Sequence, residues 1–229
     1  MRQTIIQLAA ILLASAVPAI AQDQTPAADA AAPSPMIPLN VPSNPPMTGP
    51  KLLIATAMGD ITLQLDAVRA PRTVANILRY VREKHYDGTV VYRVARGFVL
   101  EMGSWDANVK GRPVHPGGVP LEANNGLRNL RGAVSLARGD DPSSGQADFF
   151  INIDANGALD QAPDDHDNKT GYAVFGEVTD GMEVVDRIST VPVGDHGPMK
   201  GEAPVTPILI TKVSVIGDPA PAAAPKKKK

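Results

Sequence analysis

The stretch Val90–Gly103, VVYRVARGFVLEMG, constrains the fold more than any other part of the chain. Val90, Tyr92 and Val94 alternate with Val91, Arg93 and Ala95, and a period of two residues belongs to a strand with two different faces. Arg96-Gly97 breaks the run, and Phe98-Val99-Leu100 resumes it up to Gly103. Short runs of this kind recur along the sequence. Leu52–Ala57 and Ile61–Leu65 read as two strands joined through Met58-Gly59, where glycine supplies the positive φ of a tight turn. Gly132–Ala137, Asp148–Ile153, Tyr172–Val178 and Ile208–Ile216 add further strands. Two helices interrupt them. One starts at Pro71 and keeps Val74, Ile77, Leu78 and Val81 on one face; the other, GMEVVDRIS, turns Val184, Val185 and Ile188 inward. Many short strands with few helices predict an antiparallel barrel or a sandwich, and the pattern alone leaves the two open.

The ends of the chain have a different character. Met1 and Arg2 precede an apolar run from Ile5 to Val17, and Ala19-Ile20-Ala21 has the form of a cleavage site, so residues 1–21 read as a secretory signal peptide. Residues 22–50 are Ala- and Pro-rich without periodicity and read as a disordered arm; 218–229 repeat that composition and end in four lysines. The folded domain is expected over 51–217, exported with no stable membrane insertion. There is no cysteine in the 229 residues, so packing alone must hold the fold and thiol chemistry is excluded. A formal charge of −2, with Lys/Arg clustered only at Lys226–Lys229, argues against nucleic acid as a partner.

Metal chemistry has little support. His85, His115, His166 and His196 are scattered. Around Asp164, Asp165 and Asp167 the spacing of a calcium loop fails: Lys169 falls where a ligand belongs, and no glycine sits at the sixth position. No metal and no cofactor are expected.

Several segments together resemble the cyclophilin-type peptidyl-prolyl isomerases. VVYRVARGFVLEMG is similar to that family's F-H-R-[VI]-I-P-G-F-M-[IV]-Q-G-G, and Glu122–Ala137, EANNGLRNLRGAVSLA, to its N-G-L-x-N-x-R-G-x-[VI]-[SA]-M-A. DFFI, NGALD, GYAVFGEV and GMEVVDRIS follow in the family's order, over about residues 52–216 with an insertion near 161–170. The likeness is greatest to periplasmic cyclophilins of Gram-negative bacteria. It implies a mainly β fold, a closed eight-stranded antiparallel β-barrel capped by two α-helices, with a substrate groove on its outside. It further implies a monomer that binds proline-containing polypeptides and speeds X–Pro rotation during the folding of exported proteins.

Carried onto this chain, the resemblance makes Arg93 the catalytic residue. Phe98, Phe150 and Leu159 form the proline-pocket wall, Val99 replaces a methionine, Ala137 lies on the groove floor and Tyr172 stands beside the pocket. On the residues alone, Arg93 is an ordinary strand arginine, and Phe98 and Phe150 are core aromatics. The departures are as informative. Glu101 replaces the glutamine that orients the arginine, and a carboxylate there has the two oxygens to pair bidentately with Arg93, fixing it while occupying its donors; whether the pair forms is open at the level of sequence. Asp148 replaces a second glutamine in the substrate groove, which makes it more acidic. Tyr92 and Arg138 replace a histidine and an asparagine. Ala158 stands where many members have tryptophan, from which poor cyclosporin sensitivity follows. These departures also support an alternative, a catalytically weak peptide-binding module or chaperone on the same fold.

Overall fold

The computed structural model describes residues 43–217 apart from Gly197. The predicted signal peptide, the arm up to residue 42 and the tail from 218 lie outside the described residues. In chain order the elements are β1 (Lys51–Thr56), β2 (Gly59–Leu65), α1 (Pro71–Arg82), β3 (Thr89–Ala95), β4 (Val99–Met102), β5 (Ala133–Leu136), β6 (Phe149–Asn152), a 3₁₀ turn (Gly157–Leu159), β7 (Val174–Asp180), α2 (Met182–Ser189), β8 (Val193–His196), β9 (Met199–Pro204) and β10 (Ile208–Val215). Among them no helix is long and apolar enough to cross a membrane.

Eight strands close into a barrel in the order β1-β10-β3-β4-β6-β5-β7-β2, and β8 and β9 form a separate two-stranded sheet. Every neighbouring pair in the barrel is antiparallel. Closure, which the strand pattern left undecided against a sandwich, removes exposed edges in a fold without disulfides. Inward residues of the strands fill the lumen: Ile54, Ile61, Leu63, Leu100, Val134, Ile151 and Phe175 are all fully buried in one cluster. Val74, Ile77 and Val81 of α1 and Val184, Val185 and Ile188 of α2 join that cluster, as their helical spacing predicts; Leu78 packs against it only partly buried, and Tyr80, outside the predicted face, is buried in it. The α1 N-terminus begins with Pro71 and has no acidic residue in its own first turn. Glu122, from the loop before β5, supplies the charge, accepting from the N–H groups of Arg72 and Thr73 and from the Thr73 hydroxyl.

Three details differ from expectation. β3 carries a bulge: Val91 faces Met102 and Arg93 faces Glu101, so Tyr92 is the extra residue. The alternation therefore changes phase, and Val91 and Val94, three residues apart, both join the core. The polar segment Val193–Pro204, which lacks strand alternation, forms the β8–β9 hairpin. Finally, residues 43–50, assigned to the arm from composition, are fixed to the barrel. Leu65 and Ala67 donate to the carbonyls of Pro50 and Thr48, the Asn44 amide pairs with the Arg128 backbone through both of its polar atoms, and Met47 packs on Leu127, Ala133 and Val174.

Candidate active site

Register builds the site. Arg93 on β3 faces Glu101 on β4, Glu101 faces Phe150 on β6, and Phe150 faces Ser135 on β5. Residues directly opposite one another share a face of the sheet. This row lies on the outside of the barrel, because the flanking Val94, Leu100, Phe149 and Ile151 fill the lumen. The next row, Ala95–Val99–Asn152, extends the same outer face.

On that face Ala95, Val99 and Phe150 form a second apolar cluster, separate from the lumen, with the half-buried Phe98, Ala137, Leu159 and Tyr172 packed around it. The Tyr172 ring meets Phe150 edge-on at 5.4 Å, and the Arg138 guanidinium lies 4.9 Å above the Tyr172 ring. All of these but Ala95 line a groove of about 520 Å³, and the nine residues assigned a catalytic or substrate-binding role from sequence lie along it: Arg93, Phe98, Val99, Glu101, Ala137, Asp148, Phe150, Leu159 and Tyr172; of the other departures, Tyr92 and Arg138 line it and Ala158 does not. Trp105, Arg112, Val114, Ser144 and Gln146 extend it on the far side.

A buried chain of amides supports the pocket wall from behind. The Asn156 side chain donates to the Phe98 carbonyl (2.9 Å) and to Asn152 Oδ1 (2.8 Å). Asn152 donates to Asn129 Oδ1 (3.2 Å), which also accepts from the Ser135 hydroxyl (2.7 Å). Asn129 in turn donates to the Leu159 carbonyl (2.9 Å). Phe98 and Leu159, both lining the pocket, are thus tied through one network whose members are nearly inaccessible to water. Asn129 and Asn156 fall in segments that carry the family likeness, yet their pairing is visible only in three dimensions.

The electrostatics centre on Arg93. The Glu101–Arg93 pair forms, and it is single rather than bidentate: Glu101 accepts from Nη1 through one oxygen. The Nε edge instead donates to Glu202 Oε2 at 2.6 Å. Glu202 lies on β9, 109 residues from Arg93, and no sequence signal pointed to it. Burial works against the Arg93 charge, but the Glu202 hydrogen bond and then Glu101 outweigh it, and its pKa is raised. Asp148 moves the other way for an acid: burial raises its pKa, the Ser104 N–H at 2.5 Å partly offsets this, and the Glu101 charge adds to the rise. Tyr92, buried in the β3 bulge, is held strongly neutral first by burial and then by the charges of Asp148 and Glu101. The carboxylate of Asp148 fits only because residue 103 is glycine: φ is +151°, and a Cβ there would lie 2.1 Å from Asp148 Oδ1.

The arrangement is an apolar pocket with an anchored cation at its rim, open to solvent. It can hold a small ring and direct a hydrogen bond to one of the ring's neighbours.

Comparison with known proteins agrees with this geometry. Residues 51–215 match the family model "Cyclophilin type peptidyl-prolyl cis-trans isomerase/CLD". Peptidyl-prolyl cis-trans isomerase A of Dickeya dadantii is 41% identical over 169 residues, 74% of this chain and 86% of the relative. Peptidyl-prolyl cis-trans isomerase B of Escherichia coli is 39% identical over 160 residues, 70% of this chain and 96% of the relative. Among solved structures, a cyclophilin type isomerase from Cryptosporidium parvum matches with a TM-score of 0.58 at 21% identity, over 74% of this chain and 99% of that one. A cyclophilin from Hirschia baltica gives 0.58 at 22% identity, over 75% of each chain. Fold, groove and relatives converge: the chain belongs to the cyclophilin-type peptidyl-prolyl cis-trans isomerases.

Proposed function

We propose that this protein accelerates X–Pro rotation in exported polypeptides as they fold in the periplasm, with Arg93 as the catalytic residue. The observation that carries this reading is the placement of the Arg93 guanidinium and the Phe98–Val99–Phe150–Leu159 pocket along one groove. Rotation about the prolyl bond faces a barrier of roughly 18–20 kcal/mol because amide resonance must be lost. As resonance is lost, the lone pair of the prolyl nitrogen localises and becomes a hydrogen-bond acceptor. A guanidinium donor bonds that nitrogen more strongly in the twisted amide than in the planar one, and only such a difference lowers the barrier. The pocket holds the proline ring so that the nitrogen lies within reach. No covalent intermediate is needed, and Glu101 acts through Arg93 rather than on the substrate.

One observation favours the second reading, a binding module with little turnover. Carboxylates occupy two of the three guanidinium nitrogens of Arg93 and reduce its field on an acceptor. A protease-coupled isomerisation assay on an Ala-Pro peptide separates the two. The expected result is strong acceleration by the protein, a loss of about 10²–10³-fold in Arg93→Ala, the scale for one preorganised donor, and an unchanged Tm. Fractionation of the producing cells is expected to place this activity in the periplasm. A folded wild type that does not accelerate the reaction sinks the isomerase reading, and activity confined to the cytoplasm sinks the location.

A further inference from the structure

Glu202 reaches Arg93 from β9, a strand outside the barrel. Its hairpin is seated rather than free. Ala203 and Pro204 are buried, and they line a small crevice together with Val90, Val91 and Tyr92 of β3. Arg96, in the β3–β4 turn, donates to the Val191 carbonyl at 2.8 Å and ties the foot of the hairpin to the same turn that carries Phe98. Val205 N–H closes the base onto the Pro192 carbonyl.

A planar guanidinium held at one nitrogen still pivots about that contact, at the end of a side chain with many rotamers. Glu101 alone, through one oxygen on Nη1, leaves that freedom. A second carboxylate on Nε, from a different element, fixes the plane. Among the described residues no hydrogen bond engages Nη2.

We propose that Glu202 is a positioning residue: from β9 it holds the Nε edge of Arg93 while Glu101 holds Nη1, so that Nη2 is the donor presented to the prolyl nitrogen. This rests on the reading of Arg93 given above. It assigns to the polar β8–β9 hairpin a part in the isomerase site.

The test uses the full chain with Glu202→Ala, Glu202→Gln, Arg93→Ala and the Glu202→Ala/Arg93→Ala double variant. Glu202→Ala is expected to lower kcat about tenfold with KM little changed, since misorientation of a held donor affects the rate rather than pocket binding. Glu202→Gln keeps an oxygen acceptor for Nε–H and is expected to restore most of the rate. In the Arg93→Ala background, removing Glu202 should have no further effect. The Arg93 Nε–H resonance, identified by its loss in Arg93→Ala, should exchange slowly in wild type and in Glu202→Gln and rapidly in Glu202→Ala. Equal kcat in wild type and Glu202→Ala overturns the proposal, as do equal defects in Ala and Gln, additive losses in the double variant, or a fast-exchanging Nε–H in wild type. A wild type that is active and depends on Arg93, with Glu202→Ala unimpaired, overturns this inference alone; an inactive wild type overturns the isomerase reading with it.

Discussion

The lumen cluster and the groove cluster of this protein are built on opposite faces of the same strands and obey different rules. Inside the barrel, Ile54, Ile61, Leu63, Leu100 and Phe175 are fully buried in one apolar cluster that includes the helix faces, and water is excluded. Outside, Ala95, Val99 and Phe150 are buried, but Phe98, Ala137, Leu159 and Tyr172 around them remain partly open, and the backbones of Phe98 and Leu159 are tied by side-chain amides. The lumen needs only the right volume. The outer pocket needs a fixed shape with a vacancy, and hydrogen bonds, being directional, hold a shape that dispersion alone would let collapse.

The sharpest way to break this contrast is to remove volume from each side. Ile54 on β1 is fully buried and faces Ile61 and Val213 across the barrel strands, away from the groove. Ile54→Ala is expected to destabilise the protein by roughly 2–5 kcal/mol, the range for truncating a large aliphatic side chain in a packed core. Assayed below its lowered Tm, it should keep the isomerase KM of wild type. A shift in KM from this distant substitution would mean that lumen and groove are one mechanical unit, contrary to the contrast drawn here.

Asn129→Ala probes the other side with a smaller effect. It orphans the Ser135 hydroxyl, an Asn152 N–H and the Leu159 carbonyl in a buried setting, although Asn152 keeps the Ala133 carbonyl and Leu159 keeps Tyr172 N–H. Leaving buried polar groups without partners costs roughly 1–3 kcal/mol. Unlike Ile54→Ala, it should also raise KM, because Leu159 loses one of its ties. Denaturant unfolding and steady-state kinetics on the same sample check both parts, and a stability loss with unchanged KM would reduce the amide chain to ordinary core satisfaction.

What could be read from the sequence follows the same division. The lumen was legible because its residues announce themselves by period: Ile61, Leu63 and Leu65 alternate, and Val74, Ile77 and Val81 fall on one helical face. The groove residues were legible only as motifs, since Arg93 on a strand and Phe150 in DFFI have no distinctive pattern of their own. The bulge at Tyr92 was invisible, because the extra residue is defined by the partner strand. Glu202 was out of reach for two reasons. The β8–β9 hairpin is exposed over much of its length and so shows no apolar alternation, and the ion pair to Arg93 spans 109 residues. Residues 43–50 are held chiefly through backbone groups and one asparagine, contacts that composition does not encode.

The smallest effect concerns Asp148, and here the outer face should prove less stable than it would be without its charge. The pKa of this carboxyl is raised by burial, and Glu101 adds to the rise against the Ser104 N–H. For a group whose pKa is higher in the folded state, the stabilising contribution is fully present below the unfolded pKa, near 3.9 for aspartate. It is lost as pH climbs through the folded value. Asp148→Asn cannot ionise and keeps an oxygen for the Ser104 N–H. Its Tm relative to wild type should therefore rise with pH from about 4 and level off once Asp148 is ionised in the folded protein. Above that point the asparagine variant should be the more stable of the two. A Tm difference that stays flat across this range, or that favours wild type at neutral pH, would mean that Asp148 is well accommodated as an anion. The groove's acidity would then bear on substrate choice without costing the fold anything.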